Sequence, residues 1–175
     1  MKNFIRIAVA ATVLATPAVA QSPAELTDPE IAHVAYVADE IDVRYGHLAL
    51  AISDNPDVRE FATRMVEDHN AINEQALALL NELGVAPQDN PLSQKLLDDA
   101  EAIIDEMSAL RGDAFDLRYA ENELAYHRAV VDLVGNQFIP NIENAEVKAF
   151  FETGLTIFEV HTEHAEMMVE SLKAK

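Results

Sequence analysis

Three histidines stand where a core-facing stripe would ordinarily carry leucine. His69 interrupts the run Val58, Phe61, Met65, Ile72, Leu79, Leu83. His127 follows Phe115, Tyr119 and Glu123 at helical spacing, and His161 follows Phe151, Gly154 and Phe158. An ionisable group on an inner face must be paired, hydrogen-bonded, metal-bound or neutral. Asp42 borders a fourth stripe, Ile31, Val34, Ala38, Ile41, Tyr45, Leu48, Ile52, and Asp68 directly precedes His69. Imidazole and carboxylate together suit a transition metal such as iron, zinc or copper. The candidate ligands are therefore Asp42, His69, His127 and His161, with Glu123 and His164 as alternatives. The competing reading is a buried hydrogen-bond network with Asp42, Asp116 or Glu123 that fixes helix register. His69 is then either neutral, or charged and paired with Asp68 or Asp42.

Spacing limits what such a site can be. A di-iron carboxylate centre needs Glu-x-x-His on two helices. The one instance is Glu30-Ile31-Ala32-His33, at a helix start. A standard ferroxidase is therefore not expected. His161-Thr-Glu-His164 has helical ligand spacing, a weak signal alone. Met65, Met107, Met167 and Met168 could join His164 as soft copper ligands, although methionine on a stripe is ordinarily core filling. There is no cysteine, no Gly-rich phosphate loop and no Gly-x-Ser-x-Gly, so no catalytic residue is assigned.

The elements that must hold these residues are helices. Proline and glycine punctuation predicts helices over about 28–53, 56–83, 93–107, 113–134 and 144–173. The Thr27-Asp28-Pro29-Glu30 start, Ser93, Asp113 and Asn144 are the expected caps, and Gly84 the expected stop. The pattern predicts an all-α, up-down-up-down four-helix bundle with an extra short helix between its second and third helices. With both hairpins turning at the same end, the polar residues spread over about 13 Å of height. That predicts two clusters: Asp42, His69 and His127 in one, His161 with Tyr119 in another, His164 joining the second. Gly46 and Gly154 fall at similar heights and suggest close approach of the first and last helices.

The first twenty residues read as a secretory signal peptide. Lys2 and Arg6 precede an apolar Ile7–Ala15 run too short to span a membrane, and Ala18-Val19-Ala20 fits a cleavage site. Residues 21–175 form the mature domain, expected in the periplasm. Removing Lys2 and Arg6 leaves ten basic against 31 acidic residues, net −21. Such a charge argues against nucleic-acid and anionic-membrane partners. It is compatible with cations.

Several stretches resemble one family throughout the mature chain. Asn55-Pro-Asp-Val-Arg-Glu-Phe-Ala-x-x-Met-Val-x-Asp-His69 is the longest. Asp42-Val-x-x-Gly-x-Leu-Ala-Leu50, Leu110-x-Gly-x-Ala-Phe-Asp-x-x-Tyr119 and Glu146-Val-Lys-Ala-Phe150 follow the same order. They resemble the exported bacterial domain-of-unknown-function family 4142, regarded as ferritin-like, although Asp42 stands where that family usually has Glu. The resemblance implies an exported helical bundle and no established activity. Taken together, the expectation is a non-catalytic binding or envelope-stress protein. The alternatives are a periplasmic metal-binding or redox protein, or a protein-interaction module using the 93–107 helix.

Overall fold

The computed structural model describes residues 22–174. The signal-peptide reading lies outside them. The described chain is all-α, with five helices and no strand: α1 Asp28–Ile52, α2 Pro56–Glu82, α3 Pro91–Ser108, α4 Asp113–Leu133 and α5 Ala145–Lys173. None is long and apolar enough to cross a membrane.

Local chemistry sets the ends. Thr27 and Glu30 form a reciprocal capping box on α1, with proline in the first turn. Asn55 caps α2 by accepting the Asp57 amide, while Arg59 donates to the Leu50 and Ser53 carbonyls left over at the end of α1. The α2 terminus is a Schellman turn. Gly84 takes φ +68°, the Val85 amide reaches Leu80 O and the Gly84 amide reaches Asn81 O. Two expected caps shift. Asn90, boxed with Ser93, caps α3, so that helix starts at Pro91 rather than 93. Gly112, at φ +57°, precedes α4, and Asp113 is its first residue. After Leu133 the chain does not stop at Gly135. It widens into a π-turn over Val134–Phe138 before Asn144 caps α5.

Chain direction departs from the expected up-down-up-down order. The short Ser53–Asn55 link makes α2 antiparallel to α1. Ser53 Oγ donates to Asp116 Oδ1 at 2.5 Å, so α4 begins where α1 ends. Asp28 accepts the Glu143 and Asn144 amides at 3.0 and 2.8 Å, so the α4–α5 link sits where α1 begins. Hence α2 and α4 run the same way, and α5 runs with α1. The 18-residue α3, about 27 Å long, carries the chain back between them. It packs along α1, while α1 packs on α2 and α4, and α5 on α4 and α2.

This reversal puts the polar residues on one level. Asp42 lies eleven residues before Ser53, His69 fourteen after Asn55, His127 fourteen after Asp113 and His161 twelve before Lys173. The apolar core divides around that level. One part holds Tyr45, Phe61, Met65, Met107 and Phe115 toward the Ser53 end. The other holds Ile31, Val34, Phe138, Val147 and Phe151 toward the Asp28 end.

The glycine expectation is corrected. Gly46 closes on α2, not α5: a Cβ there would lie 2.8 Å from Val66 Cγ2 and 3.0 Å from the Ala62 carbonyl oxygen. A Cβ on Gly154 would meet only Phe158, at ordinary contact distance. Gly46→Ala gains helix propensity worth about 1 kcal/mol but forces α1 from α2, an overpacking cost of about 1–3 kcal/mol. Thermal unfolding should show a net loss of up to about 2 kcal/mol. A stabilised variant would mean that Val66 yields freely.

Candidate metal centre

The packing of α1, α2, α4 and α5 brings Asp42, His69, His127 and His161 into one buried cluster, none more than 3% exposed. Ring centroids stand 5.6 Å apart for His69–His127, 5.3 Å for His69–His161 and 5.4 Å for His127–His161. One nitrogen from each ring lies within 4.8 Å of the other two. Asp42, Glu123 and His127 form a second such set, sharing His127.

Each ring has one nitrogen held from behind. His69 Nδ1–H donates to Asp39 Oδ1 at 2.6 Å. His127 Nδ1–H donates to the Glu123 carbonyl at 3.0 Å, one turn back on α4. His161 Nε2–H donates to Asp68 Oδ2 at 3.0 Å. The remaining nitrogens, His69 Nε2, His127 Nε2 and His161 Nδ1, are buried without a hydrogen bond, as are both Asp42 oxygens and both Glu123 oxygens. His69 Nε2 approaches Asp42 Oδ2 to 2.5 Å, but outside hydrogen-bonding geometry, so the contact is one of charge. His127 Nε2 stands 3.6 Å from the same oxygen. Phe158 stacks on His69 at 5.5 Å and 6° and closes that side with a hydrocarbon face.

Electrostatics sort the protons. Burial opposes charge on every group here. For His69 the desolvation is outweighed by the Asp42 charge and by hydrogen bonding to Asp39, and its pKa is pushed up to about 10. Asp42, equally desolvated, is nevertheless held well below the usual carboxylate range by His69 and then His127. Burial pushes Asp39 up despite its bond to His69. Burial, then Asp42, drives Glu123 well above its ordinary value, and burial, then Glu123, does the same to Tyr119. Burial lowers His127 against the pull of Asp42. Burial and the charged His69 lower His161 to about 4, against its bond to Asp68. The metal-free cluster is therefore an Asp42 carboxylate facing a His69 imidazolium, with His161 neutral, His127 held below the ordinary imidazole value and Glu123 biased toward its protonated form.

Several sequence expectations change here. His161 belongs with His69 and His127 and not to a separate lower cluster, because the α1–α2 and α4–α5 turns lie at opposite ends. His164 is one turn further out, half-buried at the surface beside Arg64 and Asp68, and outside both sets. Asp68 serves His161 rather than His69, since consecutive helix residues do not share a face. Asp116 is bound to Ser53 at the bundle end. Met65, Met107 and Met168 lie in the apolar core and Met167 is 56% exposed, so the thioether set with His164 is not assembled. Asp39 is the residue that spacing could have found: it sits three before Asp42, one turn along the same face.

Fold and site together define an all-helical protein with a buried histidine–carboxylate cluster shared by four helices. The chain belongs to the family described as Domain of unknown function (DUF4142), whose profile matches residues 13–168. Neither a curated protein nor a solved structure matches it.

Proposed function

We propose that the chain is an exported, ferritin-like four-helix bundle that holds one transition-metal ion between His69, His127, His161 and Asp42. The ferritin-like reading rests on α3, a single crossover in a four-helix arrangement. The export reading rests on residues 1–20 and places the mature protein in the periplasm.

The observation that carries the metal reading is the set of three buried imidazoles, each hydrogen-bonded at one nitrogen, with the other turned into the cluster: His69 Nε2 against the Asp42 carboxylate, His127 Nε2 and His161 Nδ1 without a hydrogen bond. Metal-bound histidines are ordinarily held in this way, the outer partner fixing tautomer and ring direction. Here Asp39, the Glu123 carbonyl and Asp68 are those partners. Spacing agrees. Three imidazoles on one ion at tetrahedral angles, with bonds of about 2.0–2.1 Å, would stand about 5.2 Å apart between centroids. Three nitrogens and one carboxylate oxygen suit zinc, iron or copper. Bound there, such an ion would supply charge stabilisation or, for iron and copper, a one-electron couple. The protein's part is to orient the rings, exclude water with Phe158 and keep a compensating carboxylate. Storage, buffering and envelope-stress protection all need no more than this.

Metal analysis of protein purified from the periplasm, followed by equilibrium dialysis against zinc and ferrous ion, tests the reading. About one equivalent is expected in the wild type, with a loss of at least tenfold in affinity for His127→Ala. Under a tenth of an equivalent would leave the cluster as a polar layer that sets helix register. Edman sequencing of the same sample should begin near Gln21; a start at Met1 would reject export.

A further inference from the structure

We propose a second binding site, for a compact uncharged aromatic molecule, in the apolar cavity between α1, α3 and α4. This goes beyond the metal reading and does not depend on it. The cavity measures about 210 Å³. Bundle interiors are close-packed, and voids larger than a water molecule are few. An apolar cavity of about 150 Å³ is already sufficient for benzene.

Its origin is legible in the side chains. Ala35 and Ala38 on α1, Ala100 on α3 and Ala129 on α4 face it, four small residues at positions where larger ones would fill the gap. α3 leans along α1 and makes far fewer contacts with α4, which leaves the cleft between those two helices as the mouth, at Asp99 and Ala129. The walls then select the ligand. Tyr45 and Tyr126 meet edge to face at 5.6 Å, and the Tyr126 hydroxyl is already committed to the Ala38 carbonyl. The Tyr126 hydroxyl is therefore satisfied within the protein and needs no partner from a guest. An aromatic guest gains edge and face contacts from such walls that an aliphatic chain does not. A charged guest would lose its hydration to a lining that is almost wholly hydrocarbon.

The inner end reaches Phe158 and Asp39, both in direct contact with His69. A smaller apolar pocket of about 40 Å³, between α1, α2 and α5, reaches the same two residues from the other side. An occupant of the larger cavity thus lies one side chain from the histidine cluster.

The test uses the mature protein, stripped with chelator, and benzene as the probe. At about ten times its Kd, benzene should raise Tm by about 3–5 °C. Methyl chemical-shift changes should concentrate on Ala35, Ala38, Ala100 and Ala129. Ala100→Leu fills the cavity and should abolish both effects; Ala129→Leu, at the mouth, is the second variant should the first not fold. No thermal shift and no methyl perturbation in the wild type would overturn the proposal. So would perturbations that persist in a folded Ala100→Leu protein, because the ring would then sit elsewhere. Performed without metal, the outcome is independent of whether the cluster binds one.

Discussion

Replacing Asp42 by asparagine should destabilise the metal-free protein by about 3–5 kcal/mol at pH 7, the cost of leaving one partner of a buried ion pair alone. The same change should make its stability less sensitive to alkali. His69 carries the argument. Its folded pKa is raised from 6.5 to about 10. Its contribution is therefore fully present below pH 6.5 and is lost as pH rises through 10. Asp42, with a lowered folded pKa, contributes above its unfolded value of 3.8 and loses that contribution as pH falls through the depressed value. The pair is intact between those limits. His127 and His161 act in the opposite sense to His69. Their lowered pKa values mean that acid below about 6.5 favours the unfolded chain, which takes up their protons more readily. Urea denaturation of chelator-treated protein from pH 5 to 10 should show wild-type stability highest near pH 6.5 and falling on both sides of it. In Asp42→Asn the alkaline fall should be shallower, because the main charge holding the His69 proton is gone. Parallel curves would mean that His69 is neutral in the folded protein.

This charge arrangement links fold to function. A protonated His69 occupies, electrically, the place that a divalent cation would take. Asp42 is thereby supplied with a counter-charge by the protein itself. The carboxylate oxygens of Asp42 and Glu123 and the inward nitrogens of His127 and His161 are the part of the cluster that folding leaves without a hydrogen bond.

Much of this was legible in the sequence, and the failures have definite causes. The helices follow from proline and cap chemistry at Pro29, Asn55, Pro56, Gly84 and Asn144, which acts locally. The inward histidines follow from the break each makes in an apolar stripe. Their convergence did not follow, because it depends on which end of the bundle each turn occupies. Neither Ser53 with Asp116 nor Asp28 with Asn144 announces its pairing in sequence. Glycine at 135, at the end of the helix expected over 113–134, is by type a helix stop, but the π-turn over Val134–Phe138 carries the chain past it. Asp39 lies at the flank of its stripe, beside Ala38 and Ile41, where the apolar pattern does not mark it. Its role appears only when His69 is placed between it and Asp42.

Metal loading should release protons and become tighter with rising pH. His69 must give up its Nε2 proton to become a ligand, and that proton is held with a pKa of about 10. Affinity should therefore rise about tenfold per pH unit between pH 6 and 9, one proton leaving per ion bound. His161 is neutral throughout this range and His127 is held below the ordinary imidazole value, so neither adds to the slope above pH 7. At a hundred times the Kd the bound ion should raise Tm by about 5–10 °C, which replaces the stability lost as the His69–Asp42 pair is dissolved. Asp68→Asn supplies the control. It lies outside the ligand set but orients His161, so it should weaken binding by about 10–100-fold while leaving the proton count unchanged. Calorimetry in two buffers of different ionisation enthalpy reads that count directly. A pH-independent affinity with no proton release would show that His69 keeps its proton and is not a ligand.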